Sequence, residues 1–251
     1  MKALILAAGY ATRLYPLTKE YPKPLLKVGK RPIINYIVDK LEALDGIDEI
    51  IVVTNSKFMP QFKKWLGKLH SKKHISLVDD LTKSLNDRRG AIGDMNFAIN
   101  KKRLKEDLIV MGGDNLFNTD LREFFSFVKG NLSPVIGAYN IKDIRQAKKY
   151  GVVKLGRKNR IVDFKEKPEN PKSALIAMCL YYFPKNKLGL IKEYLKSKTD
   201  KYDATGFYID WLRKKVTVYG FVFEGYWYDI GDHKFYREAR QRFQMKPRLM
   251  E

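Results

Sequence analysis

Short apolar runs rich in β-branched residues alternate with segments of helical period through the first half of this chain, and that alternation constrains the fold more than any other feature. Residues 4–7 (LILA) read as a fully buried strand, followed by a loop that runs to Pro32. Pro32 suits the first turn of a helix, where its missing N–H is no loss. Ile33, Ile34, Ile37, Val38 and Leu41 then recur at three- and four-residue spacing and give that helix one apolar face. Residues 49–54 (EIIVVT) and 75–78 read as the next strands, with a helix over 58–69 between them. A helix over 92–102, a buried strand at 108–111 (LIVM), a further helix and a strand at 135–139 follow. This order predicts an α/β fold: a mixed, mainly parallel central sheet flanked by helices on both faces. Such sheets bind ligands beyond the carboxyl ends of their strands. The loops after Ala7 and after Met111 both fall there.

From Tyr150 the pattern changes. Residues 152–155 and 161–165 read as a hairpin around Arg157-Lys158-Asn159, with another strand at 177–183. Helices over 185–196 and 206–214, a strand at 216–223 and a closing helix over 233–244 complete the chain. No linker rich in Gly, Ser or Pro and no internal repeat interrupts it. The second half is therefore expected to continue the same sheet and to form a lid over its edge, within a single domain of residues 1–251.

Composition narrows the function classes. The chain has 251 residues, 45% of them apolar, which suits a folded protein and not a disordered one. No run approaches the ~18 consecutive apolar residues of a membrane-spanning helix. The opening MKALILAAG resembles a signal peptide only superficially, because Gly9, Arg13 and Pro16 follow with no export-type cleavage site. A first strand and a cytoplasmic protein are the expectation. The single cysteine, Cys179, excludes an intrachain disulfide and, lying in an apolar run, reads as a core residue and not a nucleophile. The net charge of +21 attracts anions. It is spread in pairs such as Lys63–Lys64 and Lys148–Lys149, with no basic arm, and reads as solvated lysines in preference to a nucleic-acid surface.

Three segments carry chemistry. The first strand ends in Leu6-Ala7-Ala8-Gly9-Tyr10-Ala11-Thr12-Arg13, with Pro22-Lys23-Pro24 close behind. Small residues let the backbone approach a ligand, and successive loop N–H groups cradle phosphate oxygens. Arg13 adds a forked donor and Lys23 a point charge held between two prolines. Neither a dinucleotide fingerprint nor a P-loop is present. The second segment is Met111-Gly112-Gly113-Asp114-Asn115. Asp114 there either caps a turn or helix or holds a hard cation such as magnesium, which takes one or two carboxylates plus substrate phosphates. The third is Trp227-Tyr228-Asp229-Ile230-Gly231-Asp232, where Asp232 is placed to cap the last helix.

Together these segments resemble the signature of the sugar-1-phosphate nucleotidylyltransferase superfamily, which includes glucose-1-phosphate thymidylyltransferase. Its form is roughly L-A-[AG]-G-x-G-T-R-L-x-P-L-T followed by P-K-P-[LM], then G-D-N and W-x-D-x-G. The resemblance implies a Rossmann-like nucleotidyltransferase fold, with a nucleotide-binding half (1–140) and a sugar-binding half (141–251). It implies nucleotide binding by Leu6, Ala8, Gly9, Tyr10, Thr12, Arg13, Gly90 and Asp114, and catalytic roles for Arg13, Lys23 and Lys167. Asp114 and Asp229 become the ligands of Mg2+. Tyr150-Gly151-Val152-Val153 and Glu166-Lys167-Pro168 match the sugar pocket, so Gly151, Glu166 and Lys167 are expected to bind substrate, joined by Tyr181. Asp203 also matches a family element or caps the next helix.

Two departures stand out. Ala11 occupies the place of the second loop glycine and must adopt a conformation compatible with its Cβ. Residues 80–91 (DLTKSLNDRRGA) lack the glutamine that reads a pyrimidine, leaving Ser84 or Asn86 as substitutes and the base open. The implied partners are a nucleoside triphosphate and a sugar-1-phosphate, with no nucleic acid and no membrane, and with homo-oligomerisation left open. Two alternatives stand beside this reading: a cytidylyltransferase for a non-sugar phosphate such as phosphocholine, and a non-catalytic nucleotide- or sugar-sensing subunit of the same fold.

Overall fold

A computed structural model describes the backbone of residues 1–197 and 204–245, with side chains through residue 241. Thirteen strands and seven helices follow one another among these residues. The first half contains β1 (Lys2–Leu6), β2 (Lys27–Val28), β3 (Arg31–Pro32), α1 (Ile33–Glu42), β4 (Glu49–Thr54), α2 (Met59–Leu66), β5 (His74–Asp79), α3 (Gly90–Lys102), β6 (Leu108–Gly112), β7 (Asn115–Phe117), α4 (Arg122–Val128) and β8 (Val135–Asn140). The second contains β9 (Gly151–Leu155), β10 (Ile161–Glu166), β11 (Leu175–Phe183), α5 (Gly189–Lys196), α6 (Thr205–Lys215), β12 (Tyr219–Phe223), β13 (Trp227–Asp229) and α7 (His233–Met245).

Nine of these strands form one sheet. β5, β4, β1 and β6 run parallel, β11 runs antiparallel to β6, and β8 and β12 continue beyond it as a parallel pair. The β9–β10 hairpin attaches to the first part of β11. The mainly parallel, mixed sheet expected from the alternation is present, and strands of both halves of the chain build it. The sequence pattern places the helices as well. Along β1, Ala3 and Ile5 pack with α1, α2 and α4 on one face, whereas Leu4 packs with α3, α5 and α6 on the other. Expected element bounds shift by a few residues. The first strand begins at Lys2, α2 ends at Leu66, and the last sheet strand starts at Tyr219.

A third, smaller cluster fixes the site. Leu14 and Leu26 from the loop after β1 pack with Leu116 of β7, Ile230 beyond β13, and Tyr236 and Ala239 of α7. Residues more than 200 positions apart in sequence are thereby held together, as the hydrogen bond from Lys23 Nζ to the Ile230 carbonyl records. The opening segment forms a largely buried strand between β4 and β6. No helix among the described residues is long and apolar enough to cross a membrane.

Asn55, fully buried just past β4, braces the loop after β1. Its Nδ2 donates to the Ala8 carbonyl at 2.8 Å and its Oδ1 accepts from Phe58 N at 2.9 Å. Asn55→Ala removes the donor to the Ala8 carbonyl, while Phe58 N keeps its 3.2 Å bond to the Asn55 carbonyl, and chemical denaturation is expected to show a loss of about 1–3 kcal/mol.

Candidate active site

The carboxyl ends of β1, β4 and β6 lie side by side. Leu6 registers with Val53 on one flank and with Gly112 on the other. Hydrogen bonds just past the strands keep the turns together: Ala7 N to Val53 O and Gly113 N to Leu6 O, each 2.9 Å. The Leu6 carbonyl is therefore committed to the β6 turn. Gly9 is exposed, and no protein atom occupies the space its missing Cβ would fill. The side chain of Tyr10 turns inward and packs against Phe58, so the loop offers its backbone there.

Ala11 resolves the first departure. It adopts the left-handed conformation (φ 49°, ψ 44°) in spite of its Cβ. Such a conformation costs an L-residue roughly 1–2 kcal/mol. Two bonds to its carbonyl hold it: Leu14 N at 2.9 Å and Thr18 Oγ1 at 2.8 Å. The turn thus keeps a shape suited to glycine and leads directly into Thr12 and Arg13.

Asp114 sits in the turn between β6 and β7 and caps no helix; it forms an ion pair with Lys23 Nζ. Asp229 reaches the same place from β13, because β13 pairs antiparallel with β7 and sets Asp229 opposite Asn115. Burial, and then the charge of Asp114, push the Asp229 carboxyl up to about 6, against the pull of Lys23 and Arg13. The Arg13 guanidinium lies beside Gly231, 3.7 Å from where a Cβ would stand. Asp232 accepts from Lys234 N and Phe235 N at 3.0 Å each and caps α7, as its position suggested. Among the described residues no group of three or more His, Cys, Asp or Glu is disposed to hold a metal. Two converging carboxylates, one with a raised pKa, suit a hard divalent ion that completes its shell with water and phosphate oxygens.

Beside these carboxylates opens a cavity of about 270 Å³. Arg13, Gly151, Glu166, Lys167, Tyr181 and Asp229 line it, which gathers the whole sugar-side set. Leu6, Ala8, Gly9, Tyr10, Thr12, Lys23, Gly90 and Asp114 lie outside its lining. Gly90 stands at the start of α3, next to Ala91, which does line it. The Glu166 side chain is 8% exposed, its nearest cation being Lys167 Nζ at 3.8 Å, and burial raises its pKa. Glycine is required on both sides of it. A Cβ on Gly206 would fall 1.8 Å from Glu166 Oε2, and one on Gly151 would fall 2.4 Å from Phe164 Cζ. Tyr181, buried, shares a 2.6 Å hydrogen bond with Thr205 Oγ1.

Several residues escaped the sequence reading. Lys149 and Phe235 line the cavity, with the ammonium 5.2 Å from the ring centroid. Lys149 immediately precedes the Tyr150-Gly151 element, the one signal it offered. Cys179, half-buried and with φ 54°, packs against the core from one side and forms part of the cavity wall on the other. Burial, followed by Asp114, pushes its thiol up to about 12, so it is no thiolate nucleophile. Ser84 is occupied by Asp87, and neither it nor Asn86 lines the cavity. Asp203 lies outside the described residues.

Known proteins are similar to this chain in sequence and fold. The family described as nucleotidyl transferase matches residues 2–246. The chain is 32% identical over 234 residues to the bifunctional protein GlmU of Methanocaldococcus jannaschii, covering 92% of this chain and 51% of that protein. It is 31% identical over 252 residues to the glucose-1-phosphate adenylyltransferase of Fervidobacterium nodosum, covering 94% of this chain and 59% of that one. A solved structure of a UDP-glucose pyrophosphorylase complexed with UDP-glucose superposes with a TM-score of 0.82 at 21% identity, over 96% of this chain and 97% of that one. The chain spans about half the length of the GlmU relative it matches. With the family match running over nearly its whole length and the carboxylates, cations and cavity in place, the chain belongs to the nucleotidyl transferase family.

Proposed function

We propose that the chain transfers a nucleotidyl group from a nucleoside triphosphate to a sugar-1-phosphate, giving a nucleoside diphosphate sugar and pyrophosphate. The observation that carries this reading is the Asp114–Lys23 ion pair beside Asp229, which with Arg13, Gly151, Glu166 and Lys167 lines the cavity. Residues 1–140 supply the nucleotide side and residues 141–251 the sugar side. Neighbours named for nucleotide-sugar chemistry support the same assignment.

Both substrates are polyanions, and bringing them together is the main difficulty. Two like unit charges about 4 Å apart repel by roughly 1 kcal/mol in water and roughly 4 kcal/mol at an effective dielectric near 20. The loop from Ala8 to Thr12 offers backbone N–H groups to the phosphates. Arg13 faces the pyrophosphate that departs, Lys23 the α-phosphate and Lys167 the sugar phosphate. Glu166 accepts hydrogen bonds from sugar hydroxyls, in a pocket that Gly151 and Gly206 leave open. Asp114 and Asp229 would hold Mg2+, which when bound would neutralise phosphate charge and polarise the α-phosphorus.

An oxygen of the sugar phosphate attacks the α-phosphorus in line. The new P–O bond forms as the bond to the β-phosphate oxygen breaks, and pyrophosphate leaves with that electron pair. The attacking oxygen is already ionised near neutral pH, so no side chain need remove a proton. Positioning and fixed charge then supply most of the rate.

Pyrophosphate release, measured for a panel of nucleoside triphosphates against hexose-1-phosphates, tests the reading directly. One pair should stand out, and release with none of them removes it. Asp114→Asn and Asp229→Asn should each lower turnover by about two orders of magnitude or more with the fold intact; near-normal activity in either refutes the ion-binding pair.

Asp229 also gives a pH signature. An unfolded aspartate titrates near ~3.9, and the folded carboxyl is raised to about 6. The native state thus favours the protonated form. The contribution of this group to stability is fully present below the unfolded value and is lost as pH rises through about 6. In chelated buffer, Asp229→Asn should therefore melt above the parent at pH 7.5, and the gain should vanish near pH 4. A variant that melts lower at neutral pH contradicts the charge balance assigned to this site.

A further inference from the structure

Four residues of β11 advance past two of β8 near the cavity. Ala177 pairs with Ala138, but Tyr181 pairs with Ile136. Such a bulge leaves backbone groups of the longer strand without ladder partners, and buried backbone carbonyls need them. Here the partner is a side chain. Asn115 Nδ2 donates to the Met178 carbonyl at 2.7 Å and to the Cys179 carbonyl at 3.2 Å. Its Oδ1 accepts from Trp227 Nε1 at 3.0 Å. The side chain is 3% exposed, and both donors and its oxygen are engaged.

These three bonds join three elements: the bulge of β11, β7 and β13. Asp114 is the sequence neighbour of Asn115, and Asp229 is its cross-strand partner. Gly112 lies at the centre, where a Cβ would stand 3.0 Å from Asp114 Oδ1, 3.1 Å from Cys179 Sγ and 3.2 Å from Asn115 Nδ2. Trp227 is itself held by Tyr139 and Tyr150, with ring centroids 5.8 and 5.3 Å away. The clamp therefore reaches from the sheet to the cavity wall.

We infer that Asn115 is a positioning residue. Its carboxamide ties the β11 bulge to the β7–β13 pair and so sets the separation and aim of Asp114 and Asp229. Asn115 is buried and lies outside the cavity lining, and the inference rests on the reading of those two aspartates as the ion-binding pair. A carboxamide is uniquely suited to the task, because two carbonyls need donors and one indole N–H needs an acceptor. Aspartate lacks the donors, and leucine of similar size lacks all three groups.

The test uses the full chain carrying Asn115→Leu or Trp227→Phe. The second loses one hydrogen bond and keeps an aromatic ring, so it serves if the first fails to fold. Mn2+ binding, followed by its electron spin resonance signal in the presence of the triphosphate that the chain turns over, is the primary readout. Loss of a residue supporting metal ligands is expected to weaken binding by about tenfold or more in Asn115→Leu, with a smaller loss in Trp227→Phe. Iodoacetamide should also alkylate the single cysteine, Cys179, faster as the bulge loosens. A lower melting temperature with parental Mn2+ affinity and parental alkylation, while Asp114→Asn binds poorly, overturns the positioning role alone. Parental Mn2+ affinity in Asp114→Asn overturns the ion-binding reading and this inference with it.

Discussion

The parallel pairing of β1 with β4 and β6 is the constraint on which the rest of the molecule depends. With Leu6 level with Val53 and with Gly112, three chain segments end at one height. Their turns then have to leave in the same direction and share one space. Parallel strands cannot be joined by tight hairpins, so each connection carries a helix back across the sheet. Those helices bury both faces, which leaves the strand ends as the surface where polar groups converge without breaking into the core.

Charge is concentrated there at a cost that the fold offsets locally. Two carboxylates lie near enough to feel each other's charge, and one of them is held above its ordinary range by burial and by its neighbour. Lys23 answers one carboxylate and anchors to the Ile230 carbonyl as well, while Arg13 lies along the other. These are not surplus surface cations of the kind that give the chain its net charge of +21. They are placed by the packing of Leu14, Leu26, Ile230 and Tyr236, an apolar cluster whose effect is electrostatic.

Much of this was legible in the sequence, and for identifiable reasons. Strands β1, β4 and β6 are buried on both faces, so each reads as a continuous apolar run. Asp114, Asp229, Glu166 and Lys167 stood out because their neighbours form short local patterns. Cys179 did not, since an apolar run gives no sign of a strand that breaks register within it. Lys149 was one lysine among many, and only a three-dimensional arrangement distinguishes it from the solvated ones. Ala11 marks another limit. A side chain in a left-handed turn looks like a lost glycine, yet two hydrogen bonds to its carbonyl keep the backbone where a glycine would put it.

The bond between Lys23 and the Ile230 carbonyl spans 207 positions, and it has a bearing on how the molecule comes into being. Ribosomes add roughly 5–20 residues per second, so the loop that carries Lys23 exists well before Ile230 is made, with Asp114 the partner its lysine meets first. The parallel strands β1, β4, β5 and β6 can pair early, but β8 waits for β11, and β13 and α7 follow later still. Until they dock, Lys23 has Asp114 but not the Ile230 carbonyl, and Leu14, Leu26 and Leu116 lack their later apolar partners. Assembly of the rim that holds Lys23, Asp114 and Asp229 therefore follows closure of the parallel strands, and it waits on segments made long after them.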